Sequence, residues 1–235
     1  MSDWRIGRSW TEAELQSYVA SLRDRPVNFE TPIEEMVAEN GWTVDGSHDQ
    51  LGTEPAGPPA PDGVFERARQ GIINYDFSDP RIVEGHFDPK VPLVGRDMVL
   101  EIKAFGIMRF LGGVRVHSVR EECTDEQSIF GYRYDTLRGH IERGYEWFLL
   151  TKDHRTGEVW FQIEAHWQLG DFPTWWSRLG FRLFGENFRR IWRHEAPLRL
   201  KKLTEKQPQK DIAEPGRLAH RGDPTPRPTE PVRRT

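Results

Sequence analysis

Five segments between Met98 and Gln168 carry β-branched and aromatic residues, and turn-like clusters separate them. They run Met98–Met108, Gly112–Glu122, Ser128–Thr136, Gly144–Lys152 and Glu158–Gln168. A side-chain period of two is the repeat of a strand with one face in and one face out. Five such runs in succession predict an antiparallel meander. The last hairpin is the best defined. Its turn, Asp153-His154-Arg155-Thr156-Gly157, supplies polar residues and a glycine placed for positive φ, which predicts pairing of Thr151-Lys152 with Glu158-Val159. In that register Tyr145, Trp147, Leu149, Val159, Phe161, Ile163 and Trp167 share one face. Glu146, Phe148, Leu150, Trp160, Gln162, Glu164 and His166 share the other. The first face is mostly apolar and is expected to meet a helix and the core; the second is mixed and is expected to be partly wet.

A sheet with one apolar face needs a cover. The segment from Thr174, a candidate N-cap, to about Leu203 places Trp176, Leu179, Leu183, Phe184, Phe188, Ile191, Trp192 and Leu198 in a wide apolar stripe, predicting one long amphipathic helix. Gly180, Gly185 and Pro197 are expected to weaken or bend it. The expected architecture is therefore α+β, a curved antiparallel β-sheet packed on a long C-terminal α-helix.

Upstream, Thr11 stands three places before Glu14 in capping-box spacing, and Leu15, Tyr18, Val19 and Leu22 follow at helical intervals. A short helix is expected there, ended by Pro26, then a weaker helical piece around Pro32–Val37 and a strand over Trp42–Leu51. The Pro/Gly-rich run from Glu54 to Gly63 reads as a connector, Val64–Tyr75 as a helix with one buried face, and Val83–Gly95 as an ordered loop. The expected organisation is an N-terminal extension over residues 1–52, the connector over 53–63, an α+β domain over 64–203 and a disordered tail over 204–235. The tail holds several prolines and almost no large apolar side chains, so ordering it would not be repaid by burial.

Composition narrows the function classes. The 235 residues suit one sizeable core. With 33 basic and 37 acidic residues the formal charge is only -4, which gives no global attraction to nucleic acid or to an anionic membrane. The late cluster Arg182, Arg189, Arg190, Arg193, Arg199, Lys201 and Lys202 is expected to be the solvated face of the last helix. A single cysteine, Cys123, excludes an intramolecular disulfide, and the acidic residues around it are expected to blunt its nucleophilicity. No run approaches the roughly 20 apolar residues of a membrane span. The expectation is a cytoplasmic protein with no nucleic-acid or membrane partner, no cofactor and an oligomeric state left open.

The stretch Phe130 to Glu146, with Tyr134, Thr136-Leu137, Gly139-His140, Glu142 and Gly144-Tyr145-Glu146 at fixed offsets, resembles the DUF1990 family of bacteria and plants. The resemblance continues through Val159-Trp160-Phe161-Gln162-Ile163 and the C-terminal helix and covers roughly Val64 to Leu203. Arg138 and Ile141 stand where that family often has proline. The resemblance implies a helix-grip fold like that of START and Bet v 1-like proteins, in which a curved sheet and a long helix enclose a cavity for an apolar ligand.

The residues themselves offer modest chemistry. Thr136, His140, Glu142 and Glu146 gather polar groups at one hairpin end, where an imidazole beside carboxylates is able to act as acid or base. The same residues also suit a plain turn, with His140 and Glu142 hydrogen-bonding the backbone. His140, Glu142 and Glu146 lack the spacing of a metal site, as does His86-x-Asp88, and no metal is expected. The leading expectation is a small apolar or aromatic molecule held between sheet and helix by Tyr132, Tyr134, Thr136, His140, Glu146, Phe148, Trp160, Gln162, Glu164 and His166. The alternatives are a cyclase or hydrolase-like enzyme using His140 or Glu146, and a pocketless interaction protein.

Overall fold

In a computed structural model, residues 3–104, 108–170 and 175–205 are described, those of 175–184 and 186 by backbone only. Eight strands form one antiparallel sheet: β1 Trp4–Ile6, β2 Thr43–Thr53, β3 Val83–His86, β4 Asp97–Ala104, β5 Met108–Cys123, β6 Gln127–Thr136, β7 Glu142–Asp153 and β8 Glu158–Leu169. The order is β2-β8-β7-β6-β5-β4-β3, and β1 takes the stretch of β5 at Met108–Phe110, beyond the reach of β6. Register shifts between Gln50 and Gly52 and between Val116 and Ser118 add the local bend that bulges impose, and the sheet is curved. Among the described residues three α-helices accompany it: α1 Glu12–Ser21, α2 Val64–Ile73 and α3 Trp175–Thr204. No helix among the described residues is long and apolar enough to cross a membrane.

The main core lies between the sheet's inner face and α2 and α3. Phe65, Ala68 and Ile72 of α2 recur at helical spacing, and Phe188, Trp192, Ala196 and Leu200 of α3 recur every four residues; both sets meet Phe130, Tyr132, Phe148, Phe161 and Ile163. The stripe on α3 is narrower than the sequence suggests, because Ile191 and Leu198 face solvent. Thr174 and the side chains of Trp176, Leu179, Leu183 and Phe184 lie outside the described residues, as does the tail over 206–235.

The outer face of the sheet is partly covered by α1 and the turns that follow it. The α1 capping box forms as expected, Glu14 N–H reaching Thr11 Oγ1 at 3.3 Å and Thr11 N–H reaching Glu14 Oε2 at 2.8 Å. Leu15, Tyr18 and Leu22 then pack on Val99, Leu111 and Leu137. Further along, two 3-10 turns, Ile33–Glu35 and Ala38–Asn40, replace the weak helical piece and seat Met36 and Trp42 against Tyr145. The extension therefore braces the sheet from behind.

Two sequence expectations are corrected. Val83–His86, read as part of a loop, is the edge strand β3 and pairs with Val99–Ile102 of β4. Its prolines lie beyond the paired residues, so they do not interrupt the ladder. The β7–β8 register is also one residue away from expectation: Lys152 pairs with Val159, Leu150 with Phe161, Phe148 with Ile163 and Glu146 with Ala165. Asp153 explains the slip. Its Oδ1 accepts the amides of Arg155 at 2.8 Å and Thr156 at 2.7 Å, which makes it the last strand residue and shortens the turn, with Gly157 at φ 77°. Because strand side chains alternate, one step moves a whole strand's set to the opposite face. Glu146, Phe148, Leu150 and Lys152 join Val159, Phe161 and Ile163 inside, while Trp160, Gln162, Glu164 and His166 lie outside with Tyr145, Trp147 and Leu149.

A buried ion pair holds the Pro-rich connector. Lys152 Nζ, fully buried on the inner face, donates to Glu54 Oε2 at 2.8 Å and to the carbonyls of Pro55 and Pro58. Glu54 in turn accepts the amides of Ala60 at 2.9 Å and Phe65 at 2.5 Å. Phe65 lies in the first turn of α2, whose N-cap Gly63 has no side chain to offer, so Glu54 supplies the cap.

Candidate functional site

The turn between β6 and β7 folds back on itself at Gly139, φ 92°, and carries His140 and Glu142 onto the inner side of the sheet's end. There the two strands and β8 meet α3 around a cavity of about 50 Å³. Tyr75, Tyr134, Trp167, Phe188 and Trp192 give it aromatic walls, and His140, Glu142, Glu146 and Arg189 form one polar corner. Tyr75 reaches the cavity from the residue after the α2 cap with a positive φ of 60°, a conformation that costs a non-glycine residue energy and is held by packing on Phe77 and Phe148.

The corner is organised by Arg189, buried on α3 beside Phe188 and Trp192. Its Nη1 donates to Glu142 Oε2 at 2.6 Å, and its Nη2 stands 3.5 Å from Glu146 Oε1 and 3.6 Å from Asp45 Oδ1. The guanidinium also lies over the Trp167 ring at 4.7 Å. Burial opposes the charge on Arg189, but Glu142, Glu146 and Asp45 outweigh it and strengthen its hold on the proton. Asp45, on the edge strand β2, is further paired with Arg193 and accepts Trp167 Nε1–H at 3.1 Å. These contacts tie β2, β7, β8 and α3 together around one cluster. The sequence placed Arg189 and Arg193 on a solvated face; they instead share the buried side of α3, because carboxylates distant in sequence wait there to pair with them.

Glu146 accepts a short hydrogen bond from the Tyr134 hydroxyl through Oε2. Its Oε1 makes no hydrogen bond among the described residues. Burial pushes the Glu146 carboxyl up to about 7, against the opposing pull of Arg189 and of the Tyr134 hydrogen bond. Burial likewise raises the Tyr134 phenol well above its ordinary range, with Glu146 adding to the shift.

His140 is buried, which lowers its pKa and keeps it neutral. Its Nδ1 lies 3.0 Å from both the amide nitrogen and the carbonyl oxygen of Glu142, so it accepts from the one or donates to the other according to whether the ring proton rests on Nε2 or on Nδ1. That Nε2 has no partner among the described residues. The ring fits because β5 has Gly112 beneath it: a Cβ there would stand 2.3 Å from His140 Cδ2 and 2.4 Å from Nε2. Gly112→Ala is accordingly expected to displace the imidazole and to cost about 1–3 kcal/mol in a denaturant titration. An unchanged midpoint would contradict this placement.

Glu146 also makes a signed prediction for stability. Its folded value of about 7 exceeds the ordinary 4.5, so between those pH values the native state retains a proton that the unfolded chain has lost. Its contribution is complete below 4.5 and fades as pH rises to 7, by about 3 kcal/mol in order of magnitude. Glu146→Gln is expected to flatten this stretch of the stability–pH curve; a curve parallel to that of the parent protein would contradict the shift.

The other expected site residues divide by face. Tyr132 and Phe148 lie in the inner core, where Phe148 contacts Tyr132, Tyr134 and Trp192, and neither borders the cavity. Thr136 borders it, but its hydroxyl accepts the Gly144 amide at 2.8 Å and donates to Asn28 Oδ1 at 2.6 Å, closing the hairpin against the N-terminal segment. Trp160, Gln162, Glu164 and His166 are on the outer face. There Trp160 stacks on His48, and His166 joins the Met36 carbonyl, Glu164 and the Tyr145 ring. The one-residue slip separates these four from the cavity. Sequence reasoning missed Arg189, Asp45, Arg193 and Tyr75; the spacing of Arg189 and Arg193 beside Phe188 and Trp192 was the available signal.

Among the described residues one group, Glu84, His86 and Glu101, brings possible metal-ligand atoms together. Lys103 already lies 2.5 Å from Glu84 and 3.4 Å from Glu101, and Arg109 lies 2.6 Å from Glu101. Glu101 falls to about 2: burial opposes the shift, and His86, Arg109 and Lys103 overcome it. The charges are balanced by the protein's own cations.

Comparison with known proteins gives a consistent family. A UPF0548 protein of Deinococcus radiodurans is 28% identical over 194 residues, covering 79% of this chain and 92% of that protein. Among solved structures, hypothetical protein jhp0584 of Helicobacter pylori has a TM-score of 0.45 at 13% identity, covering 77% of this chain and 98% of that one. Ara h 8.0201 has a TM-score of 0.41 at 10% identity, with 70% and 98% covered. Human STARD10 has a TM-score of 0.38 at 7% identity, with 84% and 80% covered. The model of the "Domain of unknown function (DUF1990)" family matches residues 30–196, from the outer-face turns and β2 through to α3, and the chain belongs to that family.

Proposed function

We propose that the cavity between the sheet and α3 binds the end of a small, largely apolar molecule. One observation carries this reading: three buried polar atoms, His140 Nε2, Arg189 Nε and Glu146 Oε1, belong to residues that border an otherwise largely apolar cavity, and none has a hydrogen-bond partner among the described residues, Glu146 Oε1 having only Arg189 Nη2 at ion-pair distance, 3.5 Å. Buried polar groups are nearly always paired, because an unpaired one costs about 1–3 kcal/mol. Apolar walls with a few convergent polar groups are also the usual make-up of a ligand site. The cavity is smaller than the roughly 300–1,000 Å³ of typical sites, which fits the end of a molecule and not a whole large one.

Ala165, buried on the cavity wall, provides the test. Native mass spectrometry of the protein purified from its source is expected to find a small molecule retained, and Ala165→Leu, by filling the space, is expected to lose it. Retention of the same molecule by the filled variant would remove this reading.

A second reading is favoured by the Glu146–Tyr134 pair. A carboxyl near 7 hydrogen-bonded to a phenol is suited to give or take a proton at neutral pH. If the site turns over its occupant, Glu146→Gln abolishes consumption of a metabolite by the folded protein; equal consumption by both forms would exclude Glu146 as acid or base.

A further inference from the structure

Resting on the pocket reading above, we infer that the polar end of the occupant is an oxygen that accepts a hydrogen bond from Arg189 Nε–H, whether that oxygen belongs to a carbonyl, a carboxylate or a hydroxyl.

Arg189 borders the cavity with a demand of one sign. A guanidinium carries five N–H donors and no acceptor, and it does not lose its charge in a protein. Nη1 donates to Glu142 Oε2 at 2.6 Å, and Nη2 faces Glu146 Oε1 at 3.5 Å and Asp45 Oδ1 at 3.6 Å. Nε, buried on the same side chain, has no hydrogen-bond partner among the described residues. A charged donor left unpaired away from water costs more than a neutral one. An accepting oxygen on the occupant meets that demand and leaves the pairs with Glu142, Glu146 and Asp45 as they stand.

The two neighbouring groups adapt to such an oxygen. His140 Nε2 donates in one ring tautomer and accepts in the other, and the Glu142 backbone suits both, since its amide and its carbonyl each lie 3.0 Å from Nδ1. Glu146 Oε1 donates when it carries the carboxyl proton and accepts when it does not. Neither therefore selects the occupant. Arg189 does, because an ammonium or a hydrocarbon in that position leaves Nε unpaired in every protonation state of the other two. The oxygen stands on the Arg189 side of the cavity with its neighbouring carbons among Tyr75, Trp167 and Trp192, and the rest of a longer molecule leaves past Glu142 and Phe188, the half-buried residues of the lining.

The test is an NMR titration of the full chain in mildly acidic buffer, where arginine Nε–H protons exchange slowly enough to be observed. It follows Arg189 Nε–H together with the indole N–H signals of Trp167 and Trp192, which border the cavity and donate to Asp45 and Ser78 respectively. The probes are acetophenone, benzyl alcohol and benzoate, with isopropenylbenzene as the hydrocarbon of acetophenone's shape and benzylammonium as the cation. At least one of the oxygen compounds is expected to bind about tenfold tighter than isopropenylbenzene, the ratio one well-made hydrogen bond supports, and to move Arg189 Nε–H downfield. The tightest of them then names the kind of oxygen. Isopropenylbenzene binding as tightly as every oxygen compound, benzylammonium binding best, or an Arg189 Nε–H signal that no oxygen compound moves overturns the assignment to Arg189 and leaves the pocket standing. If no probe moves either indole, the pocket reading falls, and the assignment with it.

Discussion

Arg189→Met is expected to destabilise the fold by about 3–5 kcal/mol, the range for removing one partner from a buried ion-pair network. Methionine keeps most of the length and apolar stem of arginine, so the loss reports the charge more than the packing. Without the guanidinium, Glu142 loses a 2.6 Å partner, and the carboxylates of Glu146 and Asp45 lose their shared counter-charge. The effect should depend on pH in a definite direction. Arg189 holds the Glu146 carboxyl down against burial, so its removal lets that carboxyl rise above 7. At pH 5 Glu146 is protonated with or without Arg189, and the variant should lose less than at pH 8. Denaturant titrations at both values decide the matter: a loss below about 1 kcal/mol at each, in the range of an exposed pair, would mean that Arg189 is not part of a buried network.

The second large effect lies at the opposite end of β7. Lys152→Met is expected to cost about 3–5 kcal/mol, because Glu54 would remain buried without its cation while the carbonyls of Pro55 and Pro58 lose a donor. The double variant Lys152→Met with Glu54→Gln should recover part of that loss, since the uncompensated charge is then gone and the new side-chain amide keeps a carbonyl oxygen to accept the Phe65 N–H. A double variant no better than the single one would show that the lysine acts through packing. Protease cleavage within residues 54–63 gives a local readout, since the connector is held by this pair.

Much of the fold was legible because its signals are local. The capping box at Thr11 and Glu14 and the apolar spacing of Phe65, Ala68 and Ile72 each involve residues close in sequence, and each formed where the spacing indicated. Register was not legible. On β7 both alternate sets look apolar, Tyr145, Trp147 and Leu149 on one side and Phe148 and Leu150 on the other, so hydrophobicity could not select the inner set. Lys152 deepened the ambiguity, since a lysine is a poor sign of an inward position until Glu54 is known to face it. The error carried Trp160, Gln162, Glu164 and His166 into the expected site.

His140 and Glu146 were legible as a polar pair at a hairpin end, yet their surroundings were not. The residue that sets their electrostatics, Arg189, sits on a helix with other basic residues that do face solvent, as Arg190, Lys201 and Lys202 do. Asp45 lies on a strand at the far edge of the sheet, and only the closing of that edge onto α3 brings it to Arg189 and Arg193. Such contacts leave no spacing in the sequence to read.

The carboxyl carbon resonance of Glu146, followed by NMR from about pH 4 to about pH 9, reports most directly whether a desolvated acid sits between the sheet and the last helix. A midpoint near 7 is the expected result. A midpoint at the ordinary 4.5 would place Glu146 in water, with Tyr134 and Arg189 no longer enclosing it, and the cavity would lose the polar corner on which its proposed role depends.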